Sequence, residues 1–134
     1  MTALKTEIEA YSDERNLWVL DKSISNSAGN LSLHLIGNLN AFVGAEFGNA
    51  GYVRQRDLEF SQKDVPRKQL FQMLDETIET VLMSLDTLSD DQLEEDYPKI
   101  VFKEKKSNDF FLIHLTTHLA YHLGQINYHR RLLD

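Results

Sequence analysis

Two histidines four residues apart, His118 and His122 in the run HLAYHLGQI, have the types and spacing to do chemistry in this sequence. If the run is helical, they stand one turn apart on one face, roughly 6 Å along the axis, and both imidazoles can reach one ion. The same spacing serves a surface pair or a hydrogen-bonded core pair, and spacing alone leaves all three open. His34, inside the apolar stretch LSLHLIGNL, is a third histidine that a second helix can bring to the pair. Three neutral imidazoles around a divalent ion leave at least one coordination position free. An ion so held lowers the pKa of a bound water toward about 7, or stabilises a bound thiol as thiolate.

Composition narrows that chemistry. The chain has 134 residues and no cysteine. Disulfides, thiolate ligands and a cysteine nucleophile are therefore excluded, and a transition-metal site has only histidine and carboxylate to draw on. The net charge of −7 argues against a nucleic-acid partner, which would need clustered Lys and Arg. No stretch approaches the roughly 18 apolar residues that span a membrane. The N-terminal MTALKTEIEAYSDERNLWVL is charged and periodic and lacks a basic start followed by an apolar run, so the expected location is cytoplasmic.

The elements that must position the histidines follow from hydrophobic period and capping. Leu4 to Ile24 reads as a first helix with Leu4, Ile8, Tyr11 and Trp18 inward. The turn SNSAGN follows, with Asn26 or Ser27 as N-cap of a second helix, Ala28 to Phe47, that buries Leu31, Leu35, Leu39 and Phe42. His34 falls at the edge of that face, with Asn38 one turn on. Gly37, Ala41, Gly44 and Gly48 share the edge, which signals close packing or cleared space. Asn49 to Pro66 shows no sustained helical period and is long for a bundle connection. A third helix, Pro66 to Leu85, turns Leu70, Leu74, Thr77 or Ile78, Val81 and Leu85 inward, leaving Asp75, Glu76 and Glu79 to solvent. A short turn-helix spans Thr87 to Glu95, Tyr97 to Phe102 is extended and packs over one end, and Ser107 or Asn108 caps a last helix, Asp109 to Leu132. The expectation is a single all-α domain, residues 1–134: a four-helix bundle with a long crossover connection.

His34 in LSLHLIGNL, the pair His118 and His122, and Gly124-Gln125 just after the second of that pair together resemble the DinB-like superfamily of metal-dependent proteins. The stretches NSAGNLSLHLIGNL and YVRQRDLEF are similar to one subgroup of small DinB-like proteins, so the likeness runs over nearly the whole chain. The resemblance implies a bundle holding a divalent metal on His34, His118 and His122, in a homodimer. Zinc or nickel comes first as the metal, with iron or manganese next. Relatives of this kind include thiol S-transferases using low-molecular-weight thiols and isomerases linked to such thiols, so a thiol co-substrate and a small-molecule substrate are implied.

The remaining candidates rest on position. Gln125, one turn beyond His122, can orient a ligand or bond a metal-bound water. Tyr121 offers a phenol as acid or substrate anchor, or simply packs. His114 and His129 flank the pair and read as hydrogen-bonding or surface residues. Asp57 and Glu59 lie in the long connection and are candidates to line the site's mouth, though nothing in the sequence places them there. The residues between His118 and His122 are Leu119, Ala120 and Tyr121, with no glutamate to act as base. That weighs against peptidase-like hydrolysis and toward activation of a thiol or water. The competing reading is a non-catalytic, stress-related dimeric binding protein with a structural or vestigial metal.

Overall fold

The sequence AGNLSLHLIGNL offers no continuous polar face, and a helix apolar all round belongs in an interior. The helix it forms, α2 (Ala28–Leu39), is buried at every residue. Ser27 caps it by accepting from Asn30 N at 3.2 Å; Asn26 takes no part. The computed structural model describes residues 1–134 and is all-helical, with no strand. Around α2 stand α1 (Thr2–Glu9), α3 (Arg56–Ser61), α4 (Arg67–Asp86), α5 (Asp90–Glu94) and α6 (Asn108–Leu133). The second helix runs on through a π turn, Asn40–Gly44, into a last turn, Ala45–Phe47. It packs against α3, α4 and α6, while α1 packs against α4 and α6. No helix is long and apolar enough to cross a membrane.

Three expectations need correction. The first helix does not reach Ile24: it ends at Glu9, and Glu14–Trp18 forms a separate 3-10 turn. The break has a local cause, because Asp13 accepts from Arg15 N and caps the 3-10 turn, while Asp134 draws in the free amides of Ser12 and Asp13. The turn delivers Trp18 over Gly29, where a Cβ would come within 2.6 Å of the indole. The connection from Asn49 to Pro66 is not without a helix, since α3 lies inside it and buries Glu59. The inward stripe of α4 is Leu70, Leu74, Thr77 and Ser84, with Leu85 turned outward. A stripe ending in serine suits its neighbours: a Cβ at Gly48 would collide with the Ser84 hydroxyl, and one at Gly44 would meet Thr80 at 2.7 Å.

Tyr97 is buried and stacks on Phe111, with ring centroids 3.9 Å apart, and its hydroxyl donates to Phe42 O. The segment after α5 thus packs across the start of α6. Its only ladder contact is the Asp96–Ser107 bridge. Ser89 caps α5 in a capping box with Gln92.

Glu7 on α1 accepts from Arg130 Nε and Asn127 Nδ2 on α6. Burial alone would raise the Glu7 carboxyl, but these donors hold it below its ordinary value of 4.5. A depressed folded-state pKa contributes stability above the unfolded value, and that contribution disappears as pH falls through the folded value. Glu7→Gln is therefore expected to cost under about 1 kcal/mol at pH 7. In urea titrations its deficit against the parent protein should shrink below about pH 4.

Candidate metal centre

One helical turn brings His118 and His122 together on α6, and α2 crosses them with His34. The His118 and His122 rings are 4.5 Å apart, and the His34 ring is 5.1 and 5.2 Å from them. All three present Nε2 inward: His118 Nε2 is 3.3 Å from that of His34 and 3.1 Å from that of His122. Nitrogens about 2.1 Å from a tetrahedral ion stand about 3.4 Å from one another. No fourth histidine and no carboxylate joins the group.

The outer nitrogens decide which inner ones carry lone pairs. His34 Nδ1 lies 2.9 Å from Glu59 Oε2, and a carboxylate only accepts, so Nδ1 holds the proton and Nε2 is bare. His122 Nδ1 is 2.6 Å from Gln125 Oε1, which places its proton on the outside in the same way. His118 Nδ1 is buried without a partner. Were its proton on Nε2, it would satisfy only one of the two facing lone pairs. Burial, followed by the neighbouring histidines, pushes the His118 pKa down to about 4. Burial also lowers His34, against the opposing pull of Glu59. The centre is therefore three converging imidazoles, an arrangement that a soft or borderline divalent cation satisfies at once.

Glu59 is buried, and burial by itself would raise its carboxyl. Hydrogen bonds from Arg54 and His34 hold it lower instead. Arg54 Nε and Nη2 reach its two oxygens at 2.6 and 2.8 Å, a bidentate clamp. The His34 N–H and the Arg54 Nη2 share Oε2, which explains their 3.3 Å approach.

The family described as Protein of unknown function (DUF1572) matches residues 2–134. The chain belongs to this family. No curated protein and no solved structure matches it.

In this DUF1572 chain the sequence candidates separate cleanly. Gln125 Oε1 lies 2.6 Å from His122 Nδ1. Tyr121 is not packed: it is mostly exposed, its ring 5.2 Å from His122 and its hydroxyl 3.5 Å from Gln125 Nε2. Asn38 is buried beyond His34 with Oδ1 unpaired. His114 sits edge-on to Phe102, 6.1 Å from the His118 ring and outside the group. Asp57 is exposed, whereas Glu59, two residues on, turns inward to His34. Arg54 was not anticipated from the sequence; the only signal is its place five residues before Glu59 in YVRQRDLEF.

A groove of about 550 Å³ is lined by Gln125, the partner of His122, and by none of the three converging histidines. Leu31, Tyr128, His129 and Leu132 line it, and the turn carrying Ser23 and Ser25 borders it. Its volume is of the size that takes a small organic molecule.

His129 belongs to the core rather than to the centre. Its Nε2 donates to Val19 O at 2.9 Å. Its Nδ1 therefore accepts from the Tyr11 hydroxyl at 2.7 Å, whose proton burial holds in place. Both nitrogens are used. His129→Ala is expected to destabilise the fold by about 2–4 kcal/mol in chemical denaturation. Its metal content per folded chain should stay at the parent value.

Proposed function

We propose that this protein is a divalent-metal-dependent enzyme of the DinB-like superfamily, with His34, His118 and His122 as ligands and a thiol co-substrate or water as the activated group. The observation that carries the reading is the convergence of three inward Nε2 atoms at 3.1 and 3.3 Å with no fourth protein ligand. A structural site is closed by four protein ligands; three histidines leave room for an exchangeable one. When bound, the ion supplies Lewis-acid activation of sulfur or oxygen. Zinc or nickel suits the all-imidazole donor set first, then iron or manganese.

The chain's own residues supply positioning. Gln125 holds His122, and Glu59 holds His34. The groove beside Gln125 is where a small-molecule substrate would lie. Thiol S-transfer fits better than hydrolysis, because the one buried carboxylate at the site is engaged by Arg54 and His34 and so is not free to take a proton from water. In that reaction the thiol proton leaves, a carbon–sulfur bond forms and the acceptor's leaving group departs.

We read the packing of α1, α2, α4 and α6 as a four-helix bundle with a crossover through Asn49 to Pro66. The protein is proposed to be a cytoplasmic homodimer. Phe110, Ile113, Tyr121, Tyr128 and Leu132 are exposed and, separated by three, eight, seven and four residues, fall on one face of α6, a stripe suited to a second copy. The open position and the adjoining groove favour an enzyme over a non-catalytic, stress-related binding protein, which would call for a closed shell.

Elemental analysis of tag-free protein tests the metal. One divalent ion per chain is expected, lost in both His34→Ala and His122→Ala. Retention in either variant, or no metal after reconstitution with zinc, nickel, iron or manganese, would refute the site. Once metal is found, pairing low-molecular-weight thiols with electrophilic acceptors should show metal-dependent thiol consumption.

A further inference from the structure

We infer that Glu59 is the positioning residue of the centre: its carboxylate fixes the His34 proton on Nδ1 and so sets the direction and donor strength of the Nε2 lone pair. This rests on the metal reading above and goes beyond it, because Glu59 is no ligand.

Every side of that carboxylate is defined. Oε2 accepts from His34 at 2.9 Å, and Arg54 grips both oxygens. Arg54 itself lies over the Phe42 ring, 5.4 Å from its centroid. One turn after His34 stands Gly37, where a Cβ would run into the Glu59 carboxylate. The glycine is therefore space kept for this acid. Asn30, buried one turn before His34, donates to Glu59 O and Gln62 O and ties α3 to α2. Phe60, the next residue, packs on His34 itself, its ring 5.0 Å from that of the histidine.

An Arg–Glu pair needs no interior position to form, and burying it is costly. Placed here, it acts on His34. The three histidines then differ in their outer partners: His34 has a carboxylate, His122 a neutral carboxamide and His118 none. A hydrogen-bonded carboxylate makes imidazole the stronger donor, and such partners are commonly worth about 10- to 100-fold in metal affinity. His34 is thus the anchoring ligand, held by α3 and the connection around it, while the α6 pair completes the site.

Glu59→Gln tests this directly, because it gives His34 the same kind of partner that His122 has. Circular dichroism and melting of the metal-free protein would establish folding, zinc affinity would be measured by chelator competition, and the cobalt(II) visible spectrum would report ligand geometry. The expected result is about 10- to 100-fold weaker zinc binding with an altered cobalt band. Gly37→Ala, which displaces the same carboxylate from the other side, should move both readouts in the same direction. Should Glu59→Gln leave Arg54 uncompensated and fail to fold, the double variant Arg54→Gln/Glu59→Gln removes both charges and takes its place. Glu7→Gln, a remote ion-pair variant, should leave both readouts at parent values. Parent-like affinity and spectrum in both Glu59→Gln and Gly37→Ala would overturn the positioning role while leaving the metal site standing. Failure of the parent protein itself to bind zinc or cobalt would overturn the metal reading, and this inference with it.

Discussion

Burial of α2 on all sides is the constraint on which the rest depends. A helix with no solvent face must be covered from every direction, and α3, α4, α6 and the Glu14–Trp18 turn all pack on it. Covering it is favourable through Leu31, Leu33, Leu35 and Ile36, which sit in the main core. The same covering traps the polar side chains Asn30, Ser32, His34 and Asn38 inside. Buried polar groups need partners, and meeting that need shapes the neighbourhood. Asn30 and His34 bind α3, Ser32 turns back on Ala28 O, and Nε2 of His34 faces the α6 histidines. The candidate centre is thus where α2 leaves one inner nitrogen to be satisfied by something from outside the helix.

This constraint also explains what was legible in the sequence. The i,i+4 pair and the lone His34 were readable because helical spacing fixes which side chains share a face, and both α2 and α6 are apolar-rich runs long enough to read as helices. Glycine positions pointed correctly to close approach, and Gly37 shows that packing and cleared space can be one thing: the space is filled by a carboxylate. Glu59 and Arg54 were not legible as site residues. Glu59 lies on a six-residue helix inside a long connection, too short to show a period, and Arg54 precedes that helix in irregular chain; tertiary hydrogen bonds from Asn30 to Glu59 O and Gln62 O set the helix in place. The break after Glu9 was hidden for a related reason. Leu4, Ile8, Tyr11 and Leu17 are all buried, so a hydrophobic pattern runs through a stretch whose backbone is diverted by Asp13 and Asp134.

The low amphipathicity of α6 has two sources. Its inner face carries Phe111, Leu115 and Ile126 into the core, while Ile113, Tyr121, Tyr128 and Leu132 lie outside. A helix inside a monomer explains the first set but not the second. Tyr121 joins the two roles, since it stands on the outer stripe and approaches both His122 and Gln125. Any partner that covers the stripe would therefore also wall the centre on its Tyr121 side and narrow access to the groove.

Charge sets the division of labour at the centre. Imidazole ligands carry no negative charge, so a divalent ion among the three would keep its full charge, which favours binding an anion such as a thiolate. The one nearby carboxylate does not reduce that charge directly, because Arg54 balances it and it reaches the group only through the His34 N–H. Glu59 can thus strengthen a ligand without closing the coordination shell. Had the acid lain within reach of the ion, it would have become a fourth ligand or a base. Held one imidazole away, it acts on the group only through the His34 N–H, and in the proposed S-transfer a thiol proton would have to leave by way of the substrate or solvent.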